Sequence, residues 1–371
     1  MGQGGTEASG QGSPDPLFPG AKAGGGRKKN PAMAMFGGAI SWRRSPFWLS
    51  NWLLISLAND CGAIVIIVSA SDNNFIPGLF TLVYSAWIHN RTAKFYVIDA
   101  GIDPENQERL LRFCKENSIS CEIRRAEDAL ISDLPTRGKL TVAAYARILI
   151  PDLFPDESRA IYLDADTIVV SDLQELWSTE LGDKLVAGVV DGFVEQEELD
   201  AVGLPIGEYI NSGVLVMNLD AWRRENIADQ IFKEARKSEN SRYLDQTALN
   251  SVARGRIHFL EREWNFFSEK YVLTRWKIPR IIHFAGSEKP WRFKHAPFAA
   301  IYNSYRLASR SNIQPPTIGR RFSVIRKMAL GLVGLRRKYW NVALASMYYR
   351  FLFTRPHTRK LRQQARGPRS A

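Results

Sequence analysis

Asp164 and Asp166 stand at the end of an apolar run, RAIYLDADTIVVSDLQEL, with one residue between them. A hard divalent cation takes oxygen ligands, and a nucleotide diphosphate needs such a cation to offset its charge. Two carboxylates at a strand end supply the protein half of that bridge. An Asp-x-Asp arises by chance about once in a chain of this length; the apolar neighbours, Tyr162-Leu163 and Thr167 to Val170, single this one out. A second run, RIIHFAGSEKPW, carries His283 into a loop with Gly286 and Lys289. An imidazole beside two carboxylates would move the metal preference from magnesium towards manganese, and the lysine could pair with phosphate oxygens. A core histidine and a surface lysine are the plainer reading. In EYINSGVLVMNLD, Asn211 and Ser212 open an apolar strand, where small polar groups suit either sugar hydroxyls or a turn. In YLDQTALN, Asp245 resembles a helix N-cap that would present Gln246 to a cleft.

The elements that must position these groups alternate along the chain. AIVIIVS (63–69) is a β-branched run that reads as a buried strand, and Ala70-Ser71-Asp72-Asn73-Asn74 reads as the polar loop after it. A helix is expected from Phe75 to Ile88 and another from Pro104 to Glu116, with strands over 94–99, 120–124 and 159–163. This is the pattern of an α/β domain with a mostly parallel central sheet. Ligands bind beyond the carboxyl ends of such strands, where Asp72, Asp164, Asp191 and His283 all fall.

The formal net charge is +12, yet residues 301–371 hold sixteen Arg and Lys and no Asp or Glu, leaving −4 on the first 300 residues. Basicity therefore belongs to one segment. Three domains are expected: a Gly-, Ser- and Pro-rich leader over 1–60 with a short apolar segment, an α/β catalytic domain over 61–300, and a basic amphipathic region over 301–371. Met33 and Met35 are alternative starts. The apolar stretch from Pro46 to Ala58 is too short to cross a bilayer. Arg43-Arg44 before it resembles the start of an export signal, but the next apolar segment reads as the first strand, so no cleaved signal is expected. Cys61, Cys114 and Cys121 are spaced for neither zinc nor a disulfide framework and fit reduced thiols in the cytoplasm. A glycosylation triplet at Asn90 would matter only in a lumenal protein.

Taken in order, SASDNNF, AAYARI, YLDADTIVVSDLQELW, INSGVLVMNLDAW, YLDQTALN and HFAGSEKPW resemble glycosyltransferase family 8, especially its bacterial lipopolysaccharide galactosyl- and glucosyltransferase branch. The resemblance spans roughly Ala63 to Trp291. It implies a GT-A-type nucleotide-sugar-binding fold, a UDP-galactose or UDP-glucose donor, retention of anomeric configuration and bound Mn2+, with Mg2+ as the alternative. It places the metal on Asp164, Asp166 and His283. Ala70, Asp72, Asn74 and Phe75 would surround uracil and ribose, Arg147 would lie near the sugar and phosphates, and Gly286 and Lys289 would meet the diphosphate. Asp191, Asn211, Ser212, Asp245 and Gln246 would face the transferred sugar. Where many relatives have His-x-Ser, this chain has Lys139-Leu140-Thr141.

Retention can come from two displacements through a covalent intermediate, with Asp191 or Asp245 as nucleophile, or from front-face attack beside an amide such as Gln246. From Ile318 to Phe353, apolar and aromatic residues interleave with Arg and Lys. That composition suits a helix on an anionic membrane, at the inner face of the plasma membrane where glycolipid acceptors lie, or one packed on the main domain. No nucleic-acid-binding module accompanies it. The alternative to an enzyme is an inactive nucleotide-sugar-binding or membrane scaffold of the same fold; retention of both carboxylates, His283 and Lys289 argues against it.

Overall fold

The computed structural model describes residues 64–126, 142–237, 243–267, 279–293, 296 and 298–316. The leader, Lys139-Leu140-Thr141 and the basic run from Ile318 to Phe353 lie outside the described residues.

Seven strands form the main sheet: β1 (Ile66–Ser71), β2 (Lys94–Asp99), β3 (Ser120–Arg125), β4 (Arg159–Leu163), β6 (Val186–Val190), β7 (Ile210–Asn218) and β8 (Ile257–Leu260), in the order β3-β2-β1-β4-β7-β6-β8. All run parallel except β7, which is antiparallel to both β4 and β6. Both faces are covered, so the central strands are apolar on both sides and split by a period of two. Ile67, Ile161, Leu163, Val214 and Val216 join one core, with Leu79, Phe80 and Val83 of the helix Ile76–His89. Ile66, Val68, Tyr162, Leu215 and Met217 join the other, with Ile231 and Leu249 of the helices Ile227–Lys237 and Leu244–Val252. Each such side chain contributes roughly 1.5–3 kcal/mol of burial.

The expected helix Pro104–Glu116 and the strands Lys94–Asp99 and Arg159–Leu163 form with those bounds. Ala70 and Ser71 differ from expectation. They pair with Ile98 and Asp99, so β1 reaches to the polar cluster and Asp72 caps the short turn Asn73–Phe75. Asp245 also differs: Tyr243 occupies the cap position, and Asp245 lies in the helix's first turn.

A second sheet of three short strands, β5 (Thr167–Val169), β10 (Ile281–His283) and β9 (Phe266–Phe267), follows the acidic pair. The antiparallel pairing of β10 on β5 sets His283 opposite Thr167 and so brings it beside Asp166. Asn90 is buried with both ends of its amide engaged, donating to the Ala86 carbonyl (2.9 Å) and accepting from the Leu173 N–H (2.8 Å). Its nitrogen is therefore committed to the interior. Cys114 and Cys121 are free thiols. Among the described residues, no helix is long and apolar enough to cross a membrane.

Candidate active site

The site begins with a strand that runs the other way. Because β7 is antiparallel, its first residues lie against the carboxyl ends of its neighbours: Val214 opposite Leu163 and Ile210 opposite Val190. Asn211 and Ser212 thus arrive at the edge where β4 releases Asp164 and β6 releases Asp191.

Asp164, Asp166 and His283 offer ligand atoms that all lie within 4.8 Å of one another. His283 Nε2 is 3.2 Å from Asp166 Oδ1 and 3.8 Å from Asp164 Oδ2. Two hard oxygens and one imidazole nitrogen fit a divalent cation of the Mn2+ or Mg2+ kind. The backbone is shaped to the same group: a Cβ on Gly213 would come within 2.3 Å of His283 Cε1 and 2.7 Å of Asp164 Oδ2. Only glycine leaves this cradle open.

The surrounding charges are paired through buried contacts. Lys289 Nζ bonds Asp166 Oδ2 and the Phe284 carbonyl. Burial works against charge on Asp166, but Lys289 and His283 outweigh it and hold the carboxyl below its usual range. Arg147 reaches Asp164 Oδ1 through Nη2 (3.0 Å) and Asp245 Oδ2 through Nε (3.4 Å), and Nη1 donates to Ser212 Oγ (2.8 Å). Burial alone would lower its pKa; Asp164 and its other anionic neighbours reverse that and raise it. Tyr162, not foreseen from the sequence, donates its hydroxyl to Asp164 Oδ1 at 2.7 Å and lies beneath the Arg147 guanidinium.

Towards Asp191, Gln246 Oε1 accepts from Ser212 N (3.0 Å) and Asn211 Nδ2 (2.9 Å), and its Nε2 donates to Asp191 Oδ2 (3.5 Å). Asn250 clamps the helix to β7 by exchanging bonds with both backbone groups of Ile210. Phe75 connects the end of β1 to this cluster: its ring meets Trp291 edge-on at 5.7 Å and lies 5.4 Å from Lys289 Nζ. Asp72 and Asn74 are bonded to each other at the same strand end, and Ala70 is buried just before them. Gly286, with φ of 111°, turns the loop between His283 and Lys289.

Two further residues, Asn265 and Gly213, were given no role by the sequence reading. Asn265 is fully buried and joins His283 to Asn211. Gly213 was visible in the INSGV run, but its contacts come from β10, which no local pattern discloses. Asn265 carried no local signal beyond being a polar residue inside the apolar run WNFF.

Asp245 is buried, and burial raises its pKa to about 6 against the pull of Arg147. A folded-state value above the unfolded one means the native state loses stability as pH rises from 3.8 through about 6. Asp245→Asn cannot ionise, so it is expected to be more stable than the parent at pH 8, by up to about 3 kcal/mol, with the gain gone below pH 4. Thermal melts at the two pH values check this; equal offsets at both would contradict it.

The sequence pattern of "Glycosyl transferase family 8" matches residues 66–295. General stress protein A of Bacillus subtilis is 30% identical over 272 residues, covering 66% of this chain and 94% of that protein. A lipopolysaccharide 1,3-galactosyltransferase of Salmonella typhimurium is 28% identical over 259 residues, covering 65% and 76%. Among solved structures, the galactosyltransferase LgtC in complex with donor and acceptor sugar analogs superimposes with a TM-score of 0.60 at 24% identity, over 70% of this chain and 99% of that one. The fold is thus of the GT-A kind, with a mostly parallel sheet carrying its polar cluster at the strand ends. The chain belongs to glycosyl transferase family 8 and is a glycosyltransferase.

Proposed function

We propose that the chain is a metal-dependent, retaining hexosyltransferase that moves galactose or glucose from a UDP-sugar to a glycan or glycolipid acceptor. The observation that carries this reading is the meeting of Asp164, Asp166 and His283 within 4.8 Å at the strand ends, with Lys289 paired to Asp166 and Arg147 to Asp164. The three ligands favour Mn2+, with Mg2+ as the alternative. A cation held there would neutralise the diphosphate charge that builds as the glycosidic bond breaks.

The chain's own residues do the rest. Lys289 can exchange Asp166 for phosphate oxygens of the departing UDP, adding a preorganised positive charge. Gly286 brings backbone close to the same phosphates, and Ala70, Asp72, Asn74 and Phe75 receive uracil and ribose at the end of β1. Asn211, Ser212, Asp191, Asp245 and Gln246 receive the sugar, with Arg147 between it and the phosphates. The Gln246 carbonyl oxygen already accepts from Ser212 N and Asn211 Nδ2, which fills its two lone pairs. Gln246 so held serves front-face attack as a fixed amide beside the sugar, and the double displacement would instead need Asp191 or Asp245 as nucleophile.

The name of the Salmonella relative supports a place in lipopolysaccharide or other cell-surface polysaccharide synthesis. The interleaved basic and apolar residues from Ile318 to Phe353 support peripheral association with the anionic inner face of the plasma membrane. The reading is tested by incubating purified protein with UDP-galactose, UDP-glucose or UDP-N-acetylglucosamine, in Mn2+ or EDTA, and measuring UDP. Mn2+-dependent release from one of the two hexose donors is expected. No release and no calorimetric binding of any of them would refute it.

A further inference from the structure

A chain of side-chain amides links the cation site to the sugar site, and its direction is set by the backbone. The N–H of Gly213 donates to Asn211 Oδ1 (3.0 Å), and the N–H of Ser212 donates to Gln246 Oε1 (3.0 Å). A backbone N–H can only donate, so both amides are fixed with oxygen towards β7. Asn211 Nδ2 then donates to Gln246 Oε1 (2.9 Å), and Gln246 Nε2 to Asp191 Oδ2 (3.5 Å). Upstream, the group of Asn265 facing Asn211 Oδ1 must be its NH2, at 2.9 Å. Its oxygen is left facing His283 Nδ1, 2.8 Å away, and that nitrogen must carry the proton.

We propose that Asn265 is a positioning residue that fixes the His283 imidazole with a proton on Nδ1 and Nε2 turned to Asp164 and Asp166, the nitrogen that would meet a cation. Through Asn211, the same relay fixes Gln246 and Asp191 at the sugar site. Neither function is visible from Asn265 alone, since its amide bonds His283 and Asn211, through which it would act. The surroundings leave the relay little freedom: Asn265 is fully buried, and the His283 ring is held edge-on by Phe267 at 5.4 Å. With Nδ1 committed to Asn265, Nε2 is the nitrogen that faces the carboxylates, 3.2 Å from Asp166 Oδ1, where a bound cation would replace its proton. The inference rests on reading Asp164, Asp166 and His283 as a cation site.

Two substitutions at one position separate the two links. Asn265→Ala removes both, and Mn2+ affinity measured by calorimetry is expected to fall roughly 10- to 100-fold. Asn265→Asp keeps the oxygen that accepts from Nδ1 and loses the donor to Asn211. It is expected to hold Mn2+ within about threefold of the parent while kcat for UDP release falls about tenfold, as the sugar side loosens. A role in packing alone predicts the reverse order, because a carboxylate at a fully buried position disturbs the fold more than a methyl group does. Long-range 1H–15N spectra of metal-free protein, with the His283 signal assigned by its loss in His283→Ala, are expected to show Nδ1 protonated in the parent.

An unprotonated Nδ1 would overturn the relay, as would parental Mn2+ affinity in Asn265→Ala. If Asn265→Ala does not fold, Asn265→Asp decides: Mn2+ affinity lost tenfold or more would also overturn it. Absence of Mn2+ binding by the parent protein would instead remove the cation reading, and the Nδ1 proton would still decide the relay.

Discussion

Asp166→Asn is expected to lower kcat for Mn2+-dependent UDP release roughly a thousandfold, about 4 kcal/mol of lost charge stabilisation. The substitution keeps the shape of the side chain and removes its charge, which is the property that a cation held there would need. Asp166 is buried, bonded to Lys289 and within 3.2 Å of His283. Removing the charge would weaken the proposed cation site, to which Asp164 contributes the other carboxylate among the described residues. It also leaves Lys289 with the Phe284 carbonyl as its fixed acceptor. Breaking a buried pair in this way costs about 3 kcal/mol of stability at pH 7. The pH dependence has a definite sign. Asp166 is held below its usual range in the folded state, so its contribution is complete above the unfolded value of 3.8 and is lost as pH falls towards the lower folded value. Denaturant titrations should therefore show the parent and the variant converging in acid. Near-parental turnover would remove Asp166 from the cation site.

Gly213→Ala is the second large effect, and it acts through space that is already taken. The added methyl would lie 2.3 Å from His283 Cε1, 2.9 Å from Nδ1 and 2.7 Å from Asp164 Oδ2. Neither neighbour can step aside cheaply. Asp164 is held by Tyr162 and Arg147, and His283 by Asn265 and by its pairing with β5. Forcing a methyl into so tight a contact costs about 1–3 kcal/mol, and it separates two of the three groups that would hold the cation. We expect Mn2+ affinity to fall by roughly 100-fold, with a lower melting temperature, whereas Gly192→Ala, where a Cβ meets nothing within 4 Å, serves as the neutral control. Parental Mn2+ binding by Gly213→Ala would show that the cradle is not needed.

The two variants also mark where sequence reading succeeds. Asp166 was legible because its spacing and its apolar flanks sit side by side in the chain, and so was the alternation of buried strands and helices around it. His283 and Lys289 could be read the same way, as polar residues released by a strand. Asp191, Asn211 and Gln246 were legible as polar residues at strand ends or a helix start, and only the family resemblance gave them a place beside the sugar. Asp245 was placed at the right helix and given the wrong local role: the cap is Tyr243, and Asp245 instead faces Arg147.

Residue type, period and spacing are local, so the chain by itself determined the α/β class, the extents of β2 and β4, and the identity of the acidic pair. Contacts between segments far apart in sequence are another matter. That β7 runs against its neighbours, that β10 pairs with β5, and that Asn265 bridges His283 to Asn211 depend on how strands from four regions of the chain stack. Tertiary packing alone decided those, because a hydrogen bond or a missing Cβ acts over a few ångströms of space and leaves no mark on residues fifty positions apart.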